Sequence, residues 1–257
     1  MSCKFFGPDG RLVPAVTAEQ MREIDRIAVE ETGPNLFQMM ENAGRSLAEL
    51  TLQLLGRGWQ EAEILILAGT GGNGGGGICA ARHLANRQAQ VRLLLTDAGS
   101  LKGVPSAQYT IYRHAGGREI TCDDLGRSCP GIIIDALVGY GLRSAATGTV
   151  LELIRWADSS AARVLALDVP SGVDATTGDR PGEAIRPEWT MTLALPKTGL
   201  LPERSGQLFL ADLGIPAETF RRAGLKVESP FSDRGVIPLK SEPVARSGVE
   251  GADVTDP

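Results

Sequence analysis

Histidine is almost missing from this chain. His83 and His114 are the only two in 257 residues, and neither is flanked by a nucleophile motif, so a Ser–His–Asp acyl-transfer site has little to be built from. His83 lies in AARHLAN, a stretch that reads as helix, where packing or surface placement is the simpler role. Cysteine is sparse too: Cys3, Cys79, Cys122 and Cys129 form no CxxC pair and have no His at ligand spacing. That speaks against a zinc site or a disulfide framework and for reduced thiols. Positive charge is in deficit, with 26 Lys and Arg against 31 Asp and Glu and a net charge of −5; a face that neutralises a phosphodiester backbone needs the opposite balance. No apolar run approaches the ~20 residues that cross a bilayer, and the opening MSCKFFGPDGR has no long apolar stretch of the signal type. A cytoplasmic globular protein, with neither nucleic acid nor membrane as partner, is the expectation.

What is present is a pair of helices followed by a regular alternation. Thr17 opens TAEQ, a capping box, and Met21, Ile24, Ile27 and Ala28 recur behind it at helical spacing, which predicts a helix over about 17–32. Asn35 and Gln38 repeat the device, and Phe37, Met40, Ala43, Gly44, Leu47, Leu50 and Leu54 line one face up to the stop at Gly56. Both helices are expected to precede any strand. From Glu63 the chain turns to short apolar runs, EILILA, QVRLLLT, GIIIDALV, RVLALDV, WTMTLAL and GQLFLADL. Continuous apolar strands without polar alternation are what a parallel sheet buried on both faces requires. Segments 77–86, 106–115 and 149–158 suit crossover helices. The fold class is therefore α/β, a Rossmann-like, doubly wound and mostly parallel sheet with helices on both faces and two N-terminal helices, its ligands gathering at the carboxyl ends of the strands. After a short helix near 216–224 the composition becomes Pro-, Ser- and charge-rich, so we expect one domain over 1–228 and a flexible tail over 229–257.

Three strand ends carry chemistry. EILILA runs into Gly69-Thr70-Gly71-Gly72-Asn73-Gly74-Gly75-Gly76-Gly77 and then a helix; such a run lets backbone amides approach a ligand, and the helix start favours phosphate. It is neither a Walker A loop, for no Lys-Ser or Lys-Thr follows, nor the usual dinucleotide fingerprint. Asp97 ends the second strand, where a ribose-binding acid would sit, although DAG is also ordinary turn chemistry. Asp135 in IIIDALVGYGL and Asp168 in LALDVPSGVDATTG stand inside or at the ends of apolar strands, where a carboxylate is costly unless paired, hydrogen-bonded or metal-bound. Asn73, Asp135 and Ser171 all offer oxygen, a donor set suited to a hard cation. Lys197, after a strand and a Pro, is either a phosphate contact or a solvated loop lysine. Met39, Met40 and Asn42 read first as core and dimer contacts.

Taken together, MREIDRIAVEETGPNLFQMMENAG, LAGTGGNGGGGICAARHL, IIIDALVGYGL, ALDVPSGVDATTG, LALPKTGL and LADLGIP resemble the YjeF N-terminal family, the NAD(P)H-hydrate epimerases, in order and spacing from about residue 17 to 216. The resemblance implies interconversion of the R and S forms of hydrated NADH and NADPH at the nicotinamide carbon bearing the hydroxyl, a homodimer, and a bound potassium ion held by Asn73, Asp135 and Ser171. It implies substrate contacts from Gly72, Asn73, Gly74, Gly75 and Gly76, from Gly139, Tyr140, Gly141, Leu142, Arg143, Ser144 and Ala145, and from Asp168, the leading acid/base. The family loop usually reads GNGNNGGDG, so Gly72 and Gly76 stand where an Asn and an Asp are usual. A non-catalytic nucleotide-binding homologue is therefore the second reading, and a nicotinamide-dependent dehydrogenase without the standard fingerprint the third. The dehydratase that completes the repair is expected on a separate chain.

Overall fold

The computed structural model describes residues 3–243. Two short strands, β1 (Cys3–Phe6) and β2 (Leu12–Val13), come before helix α1 (Ala18–Ile27) and helix α2 (Leu36–Leu55), so the expectation that the helices precede every strand is corrected. Four and two residues are too short for a periodic signal to register. Both capping boxes form. The Thr17 hydroxyl accepts from the Gln20 amide at 3.2 Å while the Gln20 side chain accepts from the Thr17 amide at 2.9 Å, and Asn35 and Gln38 do the same at 3.1 and 2.9 Å. A wider π turn over Ala28–Thr32 completes the first predicted helical stretch.

The six apolar runs become β3 (Ile64–Ala68), β4 (Val91–Leu95), β6 (Ile132–Ala136), β7 (Arg163–Leu167), β8 (Trp189–Leu193) and β9 (Gln207–Ala211), with a short β5 (Arg118–Glu119) beside β4. All of these pair in parallel. Crossovers are made by α3 (Gly72–Asn86), α4 (Gly103–His114) and α5 (Gly148–Ser159), and shorter helices α6 (Pro202–Ser205) and α7 (Ala217–Arg222) flank β9. The pleat sends Ile64, Ile66 and Ala68 of β3 into one core with α2, α3 and α4, and Leu65 and Leu67 into another with α5. All five are fully buried, and each large aliphatic side chain so placed contributes about 1.5–3 kcal/mol.

The tail is the second correction. Strand β10 (Val236–Pro243) lies antiparallel between β9 and β1, pairing Ile237 with Leu210 and Leu239 with Leu208. Ile237 and Leu239 are buried while Pro238 and Lys240 between and after them are exposed, a period-two pattern only two residues deep and masked by its polar surroundings. The domain thus extends to at least Pro243. The rest of the expected tail, 244–257, lies outside the described residues.

The sheet order is β2-β1-β10-β9-β8-β7-β6-β3-β4-β5. After β3 the chain winds outward through β4 and β5, then returns to β6 on the other side and winds the opposite way. The switch point, where ligands bind in such sheets, is therefore the gap between the carboxyl ends of β3 and β6.

Candidate active site

A cavity of about 600 Å³ opens at that gap, walled by Gly69–Asn73 after β3, Leu137–Gly141 after β6, Asp168 after β7, and Arg22, Asp25, Met39 and Met40 from α1 and α2, a size normal for a small-molecule site. The glycine run, expected as a loop, is mostly helix: α3 begins at Gly72, with Gly71 as its N-cap. The amides of Gly72, Asn73 and Gly74 are those that a helix start leaves without intrahelical acceptors, and they carry its positive end.

The glycines divide by role. A Cβ on Gly74 would lie 1.8 Å from the Gly69 carbonyl oxygen, one on Gly75 would lie 2.5 Å from the Met40 methyl, and one on Gly77 would lie 2.5 Å from Ala136 Cβ. These three seat α3 against the turn after β3, against α2 and against β6. Of the five glycine-run residues singled out as substrate contacts, Gly72, Asn73 and Gly76 line the cavity, whereas Gly74 and Gly75 do not. Gly72 opens on free space, and a Cβ on Gly76 would meet only the Leu167 side chain at 3.0 Å. At the two positions where the resemblance implies an Asn and an Asp, this chain thus presents no side chain to the cavity.

Asp168 is the centre of a buried network. Its φ of +68° is unusual for a residue other than glycine and places the side chain into the crevice rather than along β7. One carboxylate oxygen accepts from Lys197 Nζ and the other from the Tyr140 amide at 3.2 Å. Lys197 is 1% exposed and also donates to the Leu193 carbonyl at 2.9 Å. It is therefore neither of the things its sequence suggested, a solvated lysine or a free phosphate contact: a parallel bridge between Val16 and Lys197 holds its segment under α1. Tyr140 joins two carboxyls, donating its hydroxyl to Asp25 Oδ2 at 2.5 Å while its amide serves Asp168. Burial pushes the Asp25 carboxyl above the usual carboxylate range, with Tyr140 and Lys197 opposing; the Tyr140 hydroxyl is pushed up by burial and by Asp25.

A second carboxylate lies behind the first. Asp135 is fully buried and accepts from Ser171 Oγ at 2.6 Å, the Ser171 amide at 2.8 Å and the Leu137 amide at 3.2 Å. Among the described residues no cationic side chain pairs with it, and burial raises its pKa to about 6. Asn73 reaches the same loop from α3: a Cβ on Gly139 would be 2.9 Å from its Oδ1 and 3.1 Å from Asp168 Oδ2, and its Nδ2 is buried with no partner among the described residues. A buried carboxylate without counter-charge, beside the Ser171 hydroxyl, which also donates to the Val138 carbonyl, has the oxygen donor chemistry of a hard-cation site.

Gly139, Tyr140 and Gly141 wall the cavity, but Leu142 to Ala145 do not; Arg143 and Ser144 are exposed, and Ala145 packs towards Gly182. Asp97 is exposed and spends its oxygens on the Gly99 amide at 3.0 Å and on the Ser100 hydroxyl, which is the turn role. Asn42 donates to the Leu213 carbonyl at 3.0 Å, while Met39 and Met40 are cavity wall as well as core. The residues that sequence reasoning missed are Asp25 and Arg22. Asp25 had a signal: it stands four residues after Met21 and next to Ile24, at the edge of the buried stripe of α1, where an acid is out of place.

Comparisons with known proteins identify the family. Residues 36–199 match the model of the family described as "YjeF-related protein N-terminus". A protein of Dehalogenimonas lykanthroporepellens named "NAD(P)H-hydrate epimerase" is 53% identical over 90% of this chain and 95% of its own length. A Weissella koreensis protein of the same name is 36% identical over 80% of this chain and 95% of its own. The "Bifunctional NAD(P)H-hydrate repair enzyme Nnr" of Moorella thermoacetica is 35% identical over 78% of this chain, which spans only 40% of that longer protein. The crystal structure of yeast ynu0 superposes with a TM-score of 0.78 at 19% identity, covering 88% of this chain and all of that one; at that identity it speaks for the fold.

Proposed function

Since the chain belongs to the YjeF-related N-terminus family, we propose that it is an NAD(P)H-hydrate epimerase, an isomerase that interconverts the R and S forms of hydrated NADH and NADPH. The observation that carries the reading is the pairing of a helix start free to take a pyrophosphate with a buried Asp168 facing the same cavity. Arg22 at the cavity wall adds a cation for the dinucleotide phosphates.

Inversion at a carbon bearing both a hydroxyl and a ring nitrogen proceeds by protonation of the hydroxyl, its departure as water, and return of water to the opposite face with release of a proton. The ring nitrogen's lone pair carries the charge between the two halves, so no oxidant or reductant is needed. Asp168 is the catalytic carboxylate: it sets a negative charge against the cation that develops in the ring and receives a proton from the returning water. Asp25, held above the usual carboxylate range by burial, offers the proton donor on the same cavity. Asn73, Asp135 and Ser171 would hold potassium, which supplies positive charge and fixes the loops after β6 and β7. Gly72 and Gly76 leave the cavity wider than the usual loop would, and the chemistry falls to Asp168 and Asp25.

Val29, Leu36 and Phe37 are exposed apolar residues at the corner between α1 and α2, and a homodimer would cover them. A dehydratase is the complementary activity, in keeping with the name of the bifunctional repair relatives, of which this chain spans 40% in one case, and we place the reaction in the cytoplasm. The test is recovery of NADPH absorbance from the pure R hydrate with an S-specific dehydratase in excess, with and without potassium. Acceleration over the spontaneous rate, lost by a factor of about a hundred or more in a folded Asp168→Asn variant, supports the assignment. Near-normal epimerisation by that variant would remove Asp168 from the chemistry, and no acceleration by the unaltered chain would remove the function.

A further inference from the structure

Away from the cavity mouth, α3 and α2 bring together three side chains, and the expectation that no cysteine has a His at ligand spacing is corrected by the i, i+4 pair of Cys79 and His83. Cys79 and His83 stand four residues apart on one face of α3, and Glu41 meets them from α2. The approach is possible because Gly44, one turn beyond Glu41, has no Cβ; one placed there would lie 2.4 Å from Cys79 Sγ. His83 Nε2 is 2.9 Å from Glu41 Oε1, the Cys79 thiol donates to Glu41 Oε2 at 3.6 Å, and the three ligand atoms all lie within 4.8 Å of one another. Tetrahedral zinc, with bonds of about 2.0–2.3 Å to such ligands, needs donor atoms roughly 3.2–3.7 Å apart. Cys79 and His83 are buried and Glu41 is a third exposed, so the group is open to solvent on one side.

The middle of this group already holds a positive charge. A single guanidinium nitrogen, Arg82 Nη2, donates to Glu41 Oε2, lies 3.4 Å from Cys79 Sγ and is 3.1 Å from His83 Nε2. One cationic atom touching all three donors marks where a metal cation would sit. Among the described residues Arg82 is anchored otherwise only by its Nε on Gln108 Oε1, at 3.2 Å, and Arg45 stands 3.8 Å from Glu41 at the surface.

We propose that Glu41, Cys79 and His83 form a binding site for one divalent cation of the zinc class, with the Arg82 guanidinium as a built-in competitor that the metal displaces. Sulfur, nitrogen and oxygen together select borderline-soft ions such as zinc and cobalt over magnesium or calcium. The site is distinct from the oxygen-only cradle of Asn73, Asp135 and Ser171, and the two are expected to sort cations by ligand type. Its occupation does not depend on the proposed reaction.

The test is titration of cobalt(II) into the full chain carrying Cys3→Ser, Cys122→Ser and Cys129→Ser, which leaves Cys79 as the single thiol. A thiolate-to-cobalt charge-transfer band saturating at one equivalent, bleached by zinc and unaffected by magnesium, is the expected result. Cys79→Ser abolishes the band and His83→Gln weakens binding, while Arg82→Gln tightens it by at least about tenfold, the scale of one charge-assisted hydrogen bond no longer to be broken. Absence of the band both in the parent and in Arg82→Gln, with circular dichroism showing both folded, would overturn the proposal. So would cobalt affinity unchanged by Cys79→Ser or by Arg82→Gln.

Discussion

Replacing Lys197 by Met tests whether the Asp168 network is as tightly coupled as its geometry indicates. The side chains of Lys197 and Asp168 are 1% and 3% exposed, so water does not screen the pair, and truncating one partner leaves the other charge buried. Losses of about 3–5 kcal/mol are typical of that situation. Lys197 also serves the Leu193 carbonyl, which places the expectation at the upper end, about 4–5 kcal/mol. For a chain of this size that is a fall in melting temperature of roughly 8–20 °C. The assay is a double-mutant cycle by chemical denaturation: Lys197→Met, Asp168→Asn and the two together. Asp168→Asn strands a buried ammonium and is also costly, whereas the double variant strands no charge, so its loss falls short of the sum of the singles by about 2 kcal/mol or more. A Lys197→Met loss under about 1 kcal/mol, or simple additivity, would refute the claim that the pair is a buried, mutually dependent unit.

Other expectations follow from the same coordinates. Gly77→Ala drives a methyl to 2.5 Å from Ala136 Cβ and costs about 1–3 kcal/mol, whereas Gly72→Ala meets nothing within 4 Å and is neutral or slightly stabilising; thermal denaturation of the two separates packing glycines from cavity glycines. Tyr140→Phe removes the donor to Asp25, which lowers its pKa, so kcat falls with little change in KM and the alkaline limb of the rate profile, where the Asp25 proton is lost, moves to higher pH; a profile identical to the parent's would show that Asp25 does not titrate in the reaction. The folded state holds the Asp135 proton more tightly than the unfolded chain does, its pKa being raised from 3.8 to about 6. Without potassium, stability therefore declines as pH rises through that window and is level above it. Potassium needs the carboxylate, so its stabilising effect is small near about pH 5 and full by about pH 7.5. An equal rise in melting temperature at both, against a tetramethylammonium control, would exclude Asp135 as a ligand.

Both helix starts were legible in the chain because each depends on residues three apart, Thr17 with Gln20 and Asn35 with Gln38, and on apolar periodicity within one element. The six parallel strands were legible because burial on both faces leaves few polar positions to confuse the pattern. Strands β1, β2 and β10 were not, since they are short or carry only a few apolar positions each, and β1 finds its partner β10 more than two hundred residues away. Within the site, the acids at 135 and 168 announced themselves by standing in apolar strands. Lys197 did not, because an exposed loop lysine and one buried under α1 have the same neighbours in sequence; only the bridge to Val16 and the contact with Asp168 distinguish them.

Local composition and periodicity thus determined the α/β class, the order of the elements from α1 to β9 and the strand ends at which chemistry gathers, because those properties depend on neighbours along the chain. Tertiary structure alone decided which glycines seat α3 and which face the cavity, which carboxyl meets Tyr140 and which meets Lys197, and that Glu41 joins Cys79 and His83. Those outcomes depend on how closely two helices approach and how a sheet turns at its switch point, distances set by every packed side chain between them.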